Sequence, residues 1–448
     1  MTTKLPPGPK SHLLGLDIAQ GFQRDPLGTA AGIHREYGDI AYIKLGPLDY
    51  FLLNHPDYVK EVFVTRAREF PKTDAFKRII RNVDGNGLVA SEGDFWLKQR
   101  RMINPTFAHD KIAEYAQVIL DASQRHFAKW KAGDVVEIHK EMTDVTINVA
   151  AKIFLGVDAH GREEELAHAV DSISQIMYRE FTEFVPMPEW LPIPSKLEKR
   201  HAVKVLEKLI EEGLREQRTK PVPGSMLSAL LHARDTEDGG SAMSEEQVIA
   251  EAKTMFNAGH DSTAAALAWA WYLLLKNPNV YDQVREQVDK VTATDGVTYG
   301  AVKKIPLLAQ IAKETLRLYP PAWVLPRQTA EDTEFHGFVI PKGAYVNCFA
   351  WIIHRDERFW DSPEEFRPER FTPENEQKHV PFAWFPFGAG GRACIGRELA
   401  LFEIELLLML MIKQFNLQFA PGQTSDVEPH PLISLEPKDG IKVKVDVR

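Results

Sequence analysis

The 448-residue chain has only two cysteines, Cys348 and Cys394. Two thiols cannot build a disulfide framework, so the expected setting is a reducing cytoplasm. Also missing is any run of roughly 20 apolar residues, the length needed to span a bilayer. The start, MTTKLPPGPKSHLLGLDIAQGF, carries no signal-peptide pattern, and no membrane anchor is expected. The apolar stretch LFEIELLLMLMI at 401–412 is short and interrupted by Glu403 and Glu405, so it reads as a buried core helix. Positive charge is not in excess: 54 Lys and Arg stand against 63 Asp and Glu, a formal net charge of -9, which argues against nonspecific nucleic-acid binding. Repeats, low-complexity tracts and a flexible interdomain linker are lacking as well. What remains is an ordinary globular composition, 44% hydrophobic and 26% charged. It is read as a single domain over 1–448, mainly α with a smaller β-rich part.

Residues 39–54 look like a β-hairpin turning at Gly46-Pro47, after which His55-Pro56 opens a helix. From about 94 to 292 nearly everything reads helical, broken by proline clusters at 186–194 and 221–224. The longest helix is predicted from Ser244, as N-cap with Gln247 at the capping-box position, to about Lys276, where Asn277-Pro278 stops it. It is apolar nearly all round and should cross the core. A second helix covers 305–318. Short strands follow in 334–349, then a long irregular stretch at 356–393 of the kind that is usually functional, then a helix over 397–414.

The irregular stretch ends in PFGAGGRACIG, 386–396. Cys394 stands just before a helix start, which with Arg392 would stabilise a thiolate, the ligand form of cysteine. Gly388, Gly390, Gly391 and Gly396 leave room for a flat ligand and can point amides at the sulfur. Two plainer readings compete: a buried structural cysteine, and a nucleotide loop, since GAGGRA fits G-x-G-x-x-A. Pro381 and Pro386 argue against a preceding parallel strand, and no acid lies at the expected offset. The loop resembles the cysteine-ligand loop of the cytochrome P-450 family, F-x-x-G-x-R-x-C-x-G, through Phe387, Gly390, Arg392, Cys394 and Gly396. That resemblance implies heme b, with Cys394 as the iron ligand, Phe387 beside the sulfur, Gly388, Ile395 and Gly396 against the cofactor, and Arg392 on a propionate.

Other motifs occur in the family's order. Glu314 and Arg317 in ETLR, with Arg370 in FRPERF, resemble its buried Glu-Arg-Arg network, whose implied role is to lock the cysteine loop. AGHDST, 258–263, resembles the oxygen-activation motif through Ala258, Gly259, Asp261 and Thr263, with Ser262 in place of the usual Thr. A charged Asp inside an apolar helix is costly without a job, and Ser262 and Thr263 can bond back to the helix and loosen it. Trp96 and Arg100 resemble the W-x-x-x-R helix, and Arg327 and His354 occupy positions that often meet a propionate. HRD at 354–356 also fits part of a kinase catalytic loop, but no Asn follows at the needed offset. Val89, Phe256, Ala258, Val324 and Leu325 are the expected pocket lining by position. The implied activity is heme-thiolate monooxygenation of a small apolar substrate (a fatty acid, terpenoid or steroid) with O2. Electrons would come from a separate ferredoxin or flavodoxin with its reductase, and KQRR at 98–101 would form part of a basic docking face. A peroxide-driven peroxygenase and a non-catalytic heme sensor are the alternatives.

Overall fold

The computed structural model describes residues 4–10, 15–183, 187–219, 224–235 and 237–448. The long helix Glu245–Lys276 crosses the core, with twenty of its residues buried. Ser244 Oγ accepts from the Gln247 N–H at 3.2 Å, as an N-cap should. The capping box does not close. The Gln247 amide instead donates to the Asn86 carbonyl and to Glu251 Oε1 (2.7 Å). The helix packs chiefly on Ile138–Ala150, and also on Pro306–Leu318 and Arg397–Gln414. Gly259 shows how tight this is: a Cβ there would lie 2.3 Å from the Phe154 ring, so only glycine fits. The 401–412 run is buried throughout, Glu403 and Glu405 included. Among the helix breaks expected at prolines, 186 and 221–223 lie outside the described residues.

The hairpin forms as expected from Ile40–Leu45 and Leu48–Leu53, with Gly46 at φ 55 in the turn. It belongs to a four-stranded sheet that the sequence only half announces. Tyr345–Cys348 pairs parallel to Leu48–Leu53, and Leu325–Gln328 pairs antiparallel to Tyr345–Cys348. The Leu325–Gln328 strand is invisible to pattern reading because it holds Pro326 and Arg327 and lies at the sheet edge, where a proline is tolerated. Small hairpins at 333–340 and 429–437 complete the β part, with a three-stranded sheet of Val135–Glu137, Lys442–Val447 and Phe415–Phe419. Among the described residues no helix is long and apolar enough to cross a membrane.

Candidate functional site

The cysteine loop is positioned from below. Arg317 and Glu314 lie on Pro306–Leu318, both wholly buried. Arg317 Nε and Nη2 donate to the two Glu314 carboxylate oxygens at 2.7 and 2.8 Å. Its remaining N–H groups donate to the carbonyls of His354, Pro363 and Glu365. Glu314 Oε1 also accepts from the Arg367 N–H (2.9 Å) and from Arg370 Nε (3.2 Å), and Arg370 Nη2 donates to the Ser362 carbonyl. The three residues named from sequence are thus brought into one network with the irregular stretch wrapped around it.

His354 requires a correction. It is wholly buried and does not face the cofactor cluster. Nδ1 donates to the Arg317 carbonyl (3.1 Å), and Nε2 accepts from the Phe385 N–H (3.0 Å). Both ring nitrogens are used, so no donor remains for a propionate. Burial, with Arg317 beside it, pushes its pKa down to about 3 and keeps it neutral. Its work is to tie the Glu-Arg network to the chain just before the cysteine loop, where the Gly388 N–H donates to the Phe385 carbonyl.

The loop itself is closed by the Cys394 N–H donating to the Phe387 carbonyl at 2.8 Å. Gly390, at φ 66, packs so closely that a Cβ would sit 2.1 Å from the Phe63 carbonyl oxygen. Gly396 abuts the sulfur: a Cβ there would lie 4.0 Å from Cys394 Sγ. Cys394 keeps accessible surface, yet burial raises its thiol pKa, with the Gly396 N–H and the Arg100 and Arg397 charges pulling it back. Cys348, by contrast, is fully buried in the sheet, and burial lifts its thiol to about 12.

Around the loop the structure gathers cations. Arg392 stacks 3.7 Å over the Trp96 ring and donates to the Ser91 carbonyl and to Glu92. Arg100 donates to the Ala393 carbonyl at 2.9 Å. Arg327 lies 4.5 Å over the Phe63 ring and donates to the Pro326 carbonyl; burial lowers its pKa to about 10. Sequence reading missed the fourth member, Lys72. It reaches the carbonyls of Leu88 and Val89, and burial, followed by the Arg392 charge, lowers its pKa to about 7. No motif marks a lone lysine in PKTD, so no local signal could have found it. Lys72, Arg327 and Arg392 share one carboxylate among the described residues, Glu92, while Arg100 faces Cys394. This donor set fits a ligand that carries two carboxylates.

On the central helix, Ser262 Oγ donates to the Ala258 carbonyl and Thr263 Oγ1 to the Gly259 carbonyl, each at 3.0 Å. Ala258 is exposed in mid-helix, and Ser262 is partly accessible, whereas Thr263 is buried. Val89, Val324 and Leu325 keep accessible surface, and Leu325 approaches the Gly388 position. Phe256 does not line a pocket: it is 1% exposed, with its ring 5.1 Å from that of His260, as part of the core. Asp261 is partly accessible and accepts from Ser434 Oγ of the 429–437 hairpin at 2.5 Å. The expected basic face at 98–101 is also not free. Lys98 pairs with Asp238, and Arg101 with Asp235 and Glu237.

A family model described as cytochrome P450 matches residues 6–445. Cyclooctat-9-en-7-ol 5-monooxygenase of Streptomyces melanosporofaciens is 31% identical, over 94% of this chain and 91% of its own length. Cyclooctatin synthase of the same organism is 30% identical, over 92% and 89%. Among solved structures, the cytochrome P450DA heme domain superposes with a TM-score of 0.88 at 26% identity, covering 99% of this chain and 98% of that one.

Proposed function

The chain belongs to the cytochrome P450 family and is a monooxygenase with heme b as cofactor; on that premise we propose that it oxidises a cyclic terpenoid, at a site formed between Cys394 and the Ala258–Thr263 turn. The substrate class rests on the terpenoid-oxidising relatives, together with an apolar lining of Val89, Ala258, Val324 and Leu325. Bound heme supplies the activation of O2 and the oxidation of a C–H bond. The chain supplies the rest. Cys394 gives the thiolate ligand. Arg100, Arg327, Arg392 and Lys72 hold the propionates. Trp96 fixes Arg392 by stacking, and Phe387, Gly388, Ile395 and Gly396 shape the proximal wall. Ser262 orients a hydrogen bond on the distal side, and Asp261 supplies protons. The electron donor is a separate ferredoxin or flavodoxin system, and the two unpaired cysteines suit a cytoplasmic setting.

The observation that carries this reading is an accessible cysteine in a glycine-rich loop, with Arg100 and Arg392 on that loop and Arg327 and Lys72 beside Arg392. Replacing Cys394 by Ser tests it. The ferrous carbon monoxide complex should lose its long-wavelength thiolate Soret band, whereas Cys348→Ser should leave the spectrum unchanged. An unaltered band in Cys394→Ser would refute the assignment.

A further inference from the structure

Asp261 is the one carboxylate on its turn of the central helix, and it is held from outside by the 429–437 hairpin. Ser434, 5% exposed, donates to Asp261 Oδ2 at 2.5 Å. The hairpin is fastened there: Trp269 Nε1 donates to the Leu435 carbonyl at 2.9 Å and Trp323 Nε1 to the Leu432 carbonyl at 3.0 Å. Glu436 lies two residues beyond Ser434, partly buried, within reach of the Asp261 charge. Across the antiparallel ladder Glu436 is paired directly with His430, which is exposed. Directly opposed residues share a face, with Cβ atoms about 4.5–5.5 Å apart. Titratable groups therefore run from the protein surface to the central helix along one hairpin.

We propose that this hairpin is a proton path, with His430 as the surface acceptor, Glu436 as the internal donor and Ser434 as the bridge to Asp261. The proposal rests on the monooxygenase reading. The step balances without electrons. Glu436 gives its carboxyl proton to Ser434 Oγ while the Ser434 hydroxyl proton passes to Asp261 Oδ2, and His430 returns one proton from solvent to Glu436. The electrostatics suit the roles. Burial, then the Asp261, Asp171 and Glu137 charges, raise the Glu436 pKa well above its usual range, so it holds a proton at neutral pH. The other groups facing this cluster are accounted for. Glu137 is engaged by the N–H groups of His139, Lys140 and Ile441. Burial holds His139 and His260 neutral, with His260 Nδ1 donating to the Phe256 carbonyl. Asp171 accepts from Gln175. Lys438, which pairs with Glu428, and Asp439 flank His430.

The test uses the full heme-loaded chain and two readouts. Infrared difference spectra of parent against Glu436→Gln should show a protonated-carboxyl band at pH 7 that the variant loses; an identical band in both overturns the proposal, whether or not the enzyme turns over. In turnover, Glu436→Gln and Ser434→Ala should each be at least tenfold slower, with a larger solvent isotope effect and a shifted pH profile. Ser434→Thr, which keeps the hydroxyl, should restore the parent profile. A Ser434→Ala variant with parental rate and pH profile would route the protons elsewhere and overturn the path. A parent that carries the infrared band but consumes no reductant with any apolar substrate would instead speak against the monooxygenase reading.

Discussion

Two arginine clusters, one buried and one partly accessible, flank the cysteine loop, and they are built on opposite rules. Around Glu314, Arg317 spends every N–H on a carboxylate or carbonyl, and the acid is bonded by three partners. Around Trp96, Lys72, Arg327 and Arg392 share one carboxylate, and Lys72 is pushed toward neutrality by burial and by its neighbours. A closed cluster has no use for a ligand, so its energy belongs to the fold. An open cluster is strained until anions arrive, so its energy belongs to binding. Sequence motifs name arginines in both and cannot tell them apart.

The sharpest way to break the contrast is to open the closed cluster. Glu314→Ala leaves Arg317 and Arg370 buried without their carboxylate, at a cost of roughly 3–5 kcal/mol. Melting should fall steeply and heme should be lost with it. Thermal unfolding and heme content per chain check this; normal melting would show that the carbonyls alone suffice.

The open cluster should respond in the opposite sense. Arg327→Met removes a charge that only its own neighbouring carbonyl bonds. Without heme the variant should melt no lower than the parent, and slightly higher if repulsion dominates. Heme affinity should fall about 10–100-fold, the usual cost of losing an outer partner of a metal group. Heme transfer to an apo-globin measures the affinity. A variant less stable as apoprotein would place Arg327 in the closed class.

Most of the closed cluster was legible because its residues fall in short motifs on a helix and a proline-rich turn. His354 was misread for the same reason: its position beside the motif suggested a ligand contact, while its two hydrogen bonds lie to the carbonyl of Arg317 and the N–H of Phe385, far apart in sequence. Phe256 was misread because an apolar residue two positions before Ala258 looks the same in sequence whether it faces a pocket or the core. Lys72, Ser434 and Glu436 were illegible. Each matters through a partner brought in by tertiary contact, and nothing in the local pattern records it.

A third prediction concerns acids buried on the core helices. Burial lifts Glu403 to about 8 from 4.5, and one of its oxygens has no hydrogen-bond partner. Between those values the folded chain keeps a proton that the unfolded chain has lost, so stability falls as pH rises through that window. His354 works the other way, with a pKa lowered from 6.5 to about 3, so its neutral form loses stability only as pH drops below 6.5. Between pH 6.5 and 8 His354 no longer contributes, and the loss from Glu403 is up to about 2 kcal/mol at about 1.4 kcal/mol per pH unit, offset in part above pH 7 by Lys72, whose lowered pKa of about 7 acts in the opposite sense. Glu403→Gln should flatten this slope, read from denaturant unfolding at several pH values. An unchanged slope would place the loss elsewhere, with Glu251 or Glu405, each raised to about 7.

The smallest effect on stability, and the finest test of closed against open, lies on one turn of the central helix. Ser262 and Thr263 carry adjacent hydroxyls, both bonded to the carbonyl four residues back at 3.0 Å. Thr263 is 2% exposed, so its hydroxyl is spent inside the fold. Ser262 keeps accessible surface beside Ala258, so its hydroxyl can rotate from the helix carbonyl to a distal ligand. Thr263→Val should therefore cost about 1 kcal/mol of stability through a lost buried hydrogen bond, with product per reductant close to parental. Ser262→Ala should leave melting nearly unchanged, because water can replace the lost partner. Its effect should appear in coupling: reductant consumption continues, product falls, and the difference emerges as hydrogen peroxide. Ser262→Thr keeps the hydroxyl and should hold coupling at or above the parental ratio. The measurement is product and peroxide formed per reductant consumed, with melting run alongside. If Thr263→Val uncouples and Ser262→Ala does not, the buried hydroxyl is the functional one, and accessibility is the wrong criterion for telling the two apart.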